Sequence, residues 1–142
     1  MKNEEIFKNW FEEVWNNHIE ASIEKLLTKS CIVHGLLDDE GNEVIGPDKF
    51  KQMFRKFIAS FPDIHVDVLQ TINEGNRIAG LVAAKFTHSG ASFEAFPGKL
   101  IEPSGKTIEF SGITIALMED GKIKEAWNNS DFLSLYAKLG AF

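Results

Sequence analysis

The chain has 142 residues, of which 44% are hydrophobic and 25% charged, and a formal net charge of −6. This is the size and composition of one globular domain, 1–142, and the acidic balance argues against nucleic acid, because phosphate binding needs clustered Lys and Arg. A lone Cys31 and four scattered His predict neither a disulfide nor a metal site, and with no apolar run long enough for a membrane span we expect a cytoplasmic protein.

The first half of the chain is predicted to be mostly helical. Apolar residues recur at i, i+3 and i+4 over 3–16, and a shorter helix is expected over 19–27. The run 31–37 is typical of a short strand. A third helix is expected over 46–61, because Pro47 suits a first helical turn and apolar side chains, Phe54 among them, line one face.

Beyond residue 63 the hydrophobic period falls from 3.6 to 2. This predicts antiparallel strands at 64–72, 77–88, 106–120 and 122–127, a long loop at 89–105, and a short helix ended by Gly140. In 106–120 the apolar residues change from even to odd positions, which favours a β-bulge near Gly112. The predicted fold class is α+β, with helices covering one face of a curved antiparallel sheet.

The concave face of such a sheet is where a small ligand would bind. Strand parity places His88 on one face with Phe86. Parity also places Glu125 and Trp127 on one face, and continuing it past the strand end reaches Asp131. His34 lies in the otherwise apolar strand 31–37.

Each of these residues also has a purely structural interpretation. Asp131 directly precedes an apolar-periodic helix, and Asp is a preferred N-cap. His34 and His88 can be buried residues that bond the backbone, and Glu125 faces solvent if the parity slips by one. The tryptophans Trp15 and Trp127 serve the core as readily as a pocket wall.

Four segments carry a resemblance to a known family: WFEEVWNNH at 10–18, Gly46-Pro47 through Phe61-Pro62-Asp63, Thr87-His88-Ser89-Gly90, and Asp120 to Asp131. With these, the chain resembles the SnoaL-like polyketide cyclases, within the superfamily of nuclear transport factor two and ketosteroid isomerase. The resemblance implies a cystatin-like cone, in which the curved sheet wraps around three N-terminal helices and a short C-terminal helix follows.

The resemblance also implies a function. The residue that matches Asp131 is the general acid/base of an intramolecular aldol ring closure in the characterised cyclases. His88 and His34 would assist it, and the pocket would be lined by Trp15, Trp127, Glu125, Phe86 and Phe54. The resemblance implies neither a metal nor an organic cofactor. It does imply a homodimer that forms through the open face of the sheet.

Two hypotheses therefore follow from the sequence. One is a cofactor-independent cyclase or isomerase acting by acid/base catalysis on a small hydrophobic carbonyl compound. The other is a non-catalytic ligand-binding or dimerisation module of the same fold, in which Asp131 only caps a helix. Two related chemistries are disfavoured. Ketosteroid isomerase-type chemistry uses tyrosine as an oxyanion donor, and the only tyrosine, Tyr136, lies on the predicted C-terminal helix. Limonene-type epoxide hydrolysis needs an Asp-Arg-Asp arrangement, and the only arginines, Arg55 and Arg77, lie on a predicted helix and beside a predicted turn.

Overall fold

The computed structural model describes residues 2–38 and 40–142, apart from the side chain of Leu37. The N-terminal helix begins as α1 (Asn3–Asn9) and continues directly as a π-helical segment (Trp10–Asn16). The remaining helices are α2 (Ala21–Leu26), α3 (Gly46–Ser60) and α4 (Phe132–Leu139). The predicted helices are therefore present, and the unexpected feature is the wider π turn, which ends with Asn17 N–H donating to the Glu12 carbonyl at 2.9 Å.

The described part of the chain also forms eight strands: β1 (Leu27–Leu37), β2 (Glu43–Ile45), β3 (His65–Glu74), β4 (Arg77–Thr87), β5 (Phe93–Phe96), β6 (Lys99–Ile101), β7 (Thr107–Glu119) and β8 (Lys122–Ser130). Six of them form one sheet in the order β2-β1-β8-β7-β4-β3. The β1–β8 pair is parallel and the other neighbours are antiparallel. The α+β prediction is confirmed, with a mixed rather than wholly antiparallel sheet.

The segment 89–105, expected to be a long loop, contains a separate hairpin formed by β5 and β6. Phe93 packs its ring against Phe57 and Phe61 of the α3 region, and Phe96 contacts Tyr136 of α4. The hairpin is therefore fixed by aromatic contacts at both ends. Its Pro and Gly content concealed the short strands from the periodicity analysis.

The sheet has two faces with different partners. The inner face, which includes Val33, Ala84, Thr114 and Ala126, is buried beneath the helices. The Phe and Trp side chains of the N-terminal helix and α3 pack against one another here, for example Trp10 with Phe50 at 4.9 Å between ring centroids. Aromatic edge contacts of this kind add to the free energy of burial, so the helices are held firmly over the inner face.

The outer face is open and partly apolar. Ile113 and Ile115 of β7 are 50% and 39% exposed there. The bulge predicted near Gly112 is absent, because β7 pairs with β4 residue by residue from Thr107 to Leu117. The even-to-odd change has another cause. The apolar side chain of Ile108 faces inward, whereas those of Ile113 and Ile115, later in the same regular strand, face outward.

An irregularity that the sequence pattern does not predict lies in β8. Leu117 pairs with Glu125 while Met118 pairs with Ile123, so Lys124 is an extra residue on β8. A one-residue bulge moves every later side chain to the opposite face. Inward positions therefore change from odd, at Ile123, to even, from Ala126 onward.

The described residues contain neither a membrane-spanning helix nor a cluster of metal-ligating side chains. No helix within 2–38 and 40–142 is long and apolar enough to cross a membrane. No group of three or more His, Cys, Asp or Glu side chains in these residues is arranged to hold a metal ion.

Candidate functional site

A cavity of about 120 Å³ lies between the inner face of the sheet and the helices. The helices contribute mainly aromatic side chains and the strands mainly aliphatic ones. Its wall consists of Phe7, Trp10, Phe11, Trp15, Leu27, Val33, Leu36, Phe50, Met53, Phe57, Ile64, Val66, Val82, Ala84, Phe110, Ser111, Gly112, Thr114, Ala116, Ile123, Ala126, Asn128, Ser130 and Phe132. The cavity opens to solvent on one side, so it is a cleft that a ligand can enter.

The chemical character of this wall is its main feature. None of the residues that line the cavity is an Asp, Glu, His, Lys, Arg, Cys or Tyr. The polar side chains on inward-facing strand positions are Thr114, Asn128 and Ser130, all of them neutral at ordinary pH, whereas Ser111 borders the cavity from an outward-facing, exposed position of β7. The wall therefore offers hydrogen bonds to a ligand but no group that would carry a proton between two atoms of it.

The three inward polar side chains form one end of the cavity, on β7 and β8. Thr114 Oγ1 donates to Asn128 Oδ1 at 2.9 Å, and Asn128 Nδ2 donates to the carbonyl oxygen of His34 at 3.1 Å. This leaves one N–H of the Asn128 amide uncommitted. Ser130 Oγ has no hydrogen-bond partner in the described part of the chain, and Gly112, its cross-strand partner, leaves room for it.

This polar end was not predicted from the sequence. Asn128 and Ser130 occupy even positions of β8, whereas strand parity predicted that the odd positions face the pocket. The bulge at Lys124 reverses that assignment. The available signal was the alternation of small and polar residues at Ala126, Asn128 and Ser130, which suits a strand that faces a cavity.

Asp131 does not line the cavity. Its side chain is exposed at the N-terminus of α4, and Oδ1 accepts a hydrogen bond from Ser134 N–H at 3.0 Å. This is N-cap geometry, in which the carboxylate satisfies one of the free N–H groups of the first helical turn. The expected placement of Asp131 on a pocket-facing strand position is corrected by the β8 bulge.

His34, Glu125 and Trp127 lie together on the outer face, not in the cavity. His34 Nδ1 is 2.9 Å from Glu43 Oε1, and His34 Nε2 is 2.6 Å from Glu125 Oε2. The imidazole stacks on the Trp127 ring at 5.4 Å between centroids. Donation of hydrogen bonds by the imidazole to the Glu125 carboxylate first and the Glu43 carboxylate second raises the pKa of His34 above its usual value of 6.5.

His88 and Phe86 are on the inner face, as parity predicts, but outside the cavity wall. His88 is fully buried beside Phe61, and its Nε2 lies 2.9 Å from the Ala91 carbonyl oxygen. The Gly105 N–H donates to the backbone oxygen of His88 at 2.9 Å. His88 therefore anchors the segment that follows β4.

Two of the predicted pocket residues lie at the cavity or directly behind it. Trp15 lines the cavity, and Phe54 is buried behind it with 5.6 Å between the ring centroids. The structure therefore does not bring His34, His88, Trp127 and Asp131 to one cavity. Instead, His34 and Trp127 lie on the outer face, His88 follows the end of β4, and Asp131 caps α4.

Burial also decides the role of the single cysteine. Cys31 is fully buried on β1, and this burial, with the nearby Glu125 charge, raises the pKa of its thiol to about 12. The thiolate is the reactive form of cysteine, so Cys31 is an inert core residue.

Comparison with known proteins agrees with this architecture. The sequence profile of the SnoaL-like polyketide cyclases matches residues 5–139. The chain belongs to the SnoaL-like polyketide cyclase family. No curated protein sequence matches it.

Solved structures show the same cone fold at low sequence identity. IdmH of Streptomyces antibioticus, provisionally assigned as a polyketide cyclase, superposes with a TM-score of 0.79 at 22% identity over 99% of each chain. AclR of Streptomyces galilaeus, provisionally assigned as a hydroxylase, gives 0.77 at 21% over 98% of this chain and 85% of that one. TsrD of Streptomyces laurentii gives 0.80 at 17% over 100% and 99%. The family and the cone predicted from the sequence are thus confirmed.

Proposed function

We propose that this SnoaL-like protein binds a small, mostly apolar molecule in the cone cavity and holds one oxygen atom of it at the Asn128–Ser130 end. The single observation that supports this is the cavity wall, which is aromatic and aliphatic except for neutral hydrogen-bonding groups gathered at one end. Apolar pockets with a few convergent polar groups are typical of small-molecule sites.

Size and chemistry narrow the ligand class. Apolar cavities of roughly 150 Å³ take up benzene. A cavity of about 120 Å³ therefore suits one ring or a short chain, and any larger part of the ligand extends through the open side. A carbonyl oxygen is the best match for the polar end, because Ser130 Oγ–H and the free Asn128 N–H are both donors.

Acetophenone is a suitable probe, because it has one ring, one carbonyl oxygen and no titratable group. We expect it to bind, as measured by chemical-shift changes in the ¹H–¹⁵N spectrum of the labelled protein. Ser130→Ala should weaken its binding about fivefold, the effect of one net hydrogen bond. The binding of α-methylstyrene, in which a CH₂ group replaces the oxygen, should not change in this variant.

The matched control is Ser89→Ala, because Ser89 is exposed in the segment after β4 and is not part of the cavity wall. Ala116→Leu should block binding of both probes, since Ala116 lines the cavity and is 1% exposed. Binding that survives Ala116→Leu, or an equal loss of both probes in Ser130→Ala, would contradict the proposed site.

Catalysis of the cyclase or isomerase type is the second candidate, and membership of the SnoaL-like family favours it. In this cavity such chemistry would rest on polarising a carbonyl with neutral donors, since the wall has no acid or base. Exchange of the acetophenone methyl protons in D₂O tests this directly. Binding alone leaves the exchange rate at its buffer value, whereas polarisation of the bound carbonyl accelerates it.

A further inference from the structure

The two faces of the sheet are connected at the seam between β1 and β8. The last residue pair of the β1–β8 ladder is His34 with Trp127. Directly beyond it, the amide of Asn128, which lines the cavity, donates to the backbone oxygen of His34. Gly35 brings the strands closer still, because a Cβ at this position would lie 1.9 Å from the Asn128 carbonyl oxygen.

The outer side of this seam is held by the His34 side chain. Glu43 of β2 and Glu125 of β8 are the charged groups that face its two ring nitrogens. Trp127 covers the ring face, and beyond it the Arg77 guanidinium of β4 lies 5.7 Å from the Trp127 ring. The His34 and Glu125 side chains are each 27% exposed, so this contact is partly shielded from solvent.

The protonation state of His34 decides how many strands it connects. The imidazolium form has two N–H donors and bonds both carboxylates, which ties β2 and β8 to β1. The neutral form has one N–H, so one carboxylate loses its donor. The two carboxylates raise the pKa of His34 above 6.5, which places the change within the accessible pH range.

We propose that protonation of His34 on the outer face tightens ligand binding in the cavity, with Asn128 as the connection between the two faces. This inference rests on the proposed function. When His34 is protonated, the seam is closed, and Asn128 stays fixed between the His34 carbonyl oxygen and Thr114. When His34 loses its proton, one of its two carboxylate contacts is lost, β1 is held less tightly between β2 and β8, and the oxygen-binding end of the cavity loses its fixed geometry.

Ligand affinity should therefore fall as the pH rises through the pKa of His34. We expect the Kd of acetophenone to increase about fivefold between about pH 5.5 and about pH 9, the lower end of typical coupling between two sites. Linkage requires the reverse effect as well, so saturating acetophenone should raise the pKa of His34, followed by NMR of its ring protons, by the equivalent amount.

Three variants make the test specific. His34→Gln should bind acetophenone with no pH dependence over this range. Glu43→Gln, at a position with a 51% exposed side chain, keeps the fold and should move the midpoint to lower pH. His65→Gln is the matched control, because His65 is exposed on β3 and pairs with Asp67, and it should keep the wild-type profile.

The side-chain amide of Asn128 gives a measurement that needs no ligand. Its ¹H–¹⁵N signals should titrate with the His34 pKa in the free protein and stay constant in His34→Gln. If acetophenone binds with a pH-independent Kd, the coupling is overturned while the proposed function stands. If it binds at no pH, the proposed function is overturned, and the Asn128 amide still decides the seam: titration supports the connection and a constant signal refutes it.

Discussion

Replacing Asp131 distinguishes its two predicted roles, which are the N-cap of α4 and the general acid/base of catalysis. The structure has its Oδ1 accepting from Ser134 N–H at the start of α4. Asp131→Ala removes this bond and should cost about 1 kcal/mol of stability, the usual value for an N-cap. Asp131→Asn keeps a capping oxygen and should cost only a few tenths of a kcal/mol at most, since Asn caps about as well as Asp.

The change in melting temperature follows from the chain length. Unfolding entropy near ~2.1 cal/mol/K per residue gives roughly 0.3 kcal/mol/K for 142 residues. A loss of about 1 kcal/mol therefore lowers the Tm of Asp131→Ala by ~3 °C, while the Tm of Asp131→Asn stays within about 1 °C of wild type. Thermal unfolding by circular dichroism, with urea unfolding as a second measure, checks both values.

The ligand measurements complete the experiment. Because Asp131 lies outside the cavity wall, both variants should bind acetophenone with the wild-type Kd. An unchanged Tm in Asp131→Ala would show that the cap assignment is wrong. A wild-type protein that accelerates methyl-proton exchange, and an Asp131→Asn variant that loses this activity at full stability, would restore the acid/base role that the family resemblance implies.

Three further predictions follow from the sheet. Gly112→Ala should destabilise the fold by about 1–3 kcal/mol in urea unfolding, because its Cβ would lie 2.8 Å from Ser130 Cα and 2.9 Å from the Asn129 oxygen; an unchanged midpoint would contradict this packing. The stability that His34 contributes should be complete below about pH 6.5 and lost as the pH rises through its raised pKa, so His34→Gln should flatten this part of the stability profile. We expect a homodimer through the outer face, and Ile115→Lys should convert it to a monomer in light scattering, whereas Ile19→Lys, at a 43% exposed position between the N-terminal helix and α2, should not; a wild-type monomer would refute the interface.

Much of the fold was predictable because its elements carry strong local patterns. The period of 3.6 in the N-terminal half and of 2 after residue 63 gave the helices, the main strands and the α+β class. Local patterns do not reveal which strands pair. The parallel β1–β8 contact joins residues about a hundred positions apart, and only the folded sheet shows it.

The candidate site was harder to predict, because parity depends on every residue between the start of a strand and the site. One extra residue at Lys124 exchanged the inward and outward sets of β8. It moved Glu125 and Trp127 to the outer face and brought Asn128 and Ser130 to the cavity. A bulge of this kind has no marker in the sequence, since Lys is an ordinary residue on an exposed position.

The contrast between the family and this cavity decides how the protein should be studied. A fold can be shared among proteins whose sites carry out different chemistry, so the activity has to be argued from the wall of the pocket. Proton transfer at a carbonyl needs an acid or base within hydrogen-bond reach of the reacting atoms. The ionisable His34 and Glu125 are separated from the cavity by the sheet, and Asp131 is engaged by α4. Ligand affinity should therefore respond to the neutral end at Asn128, which is the property to measure first.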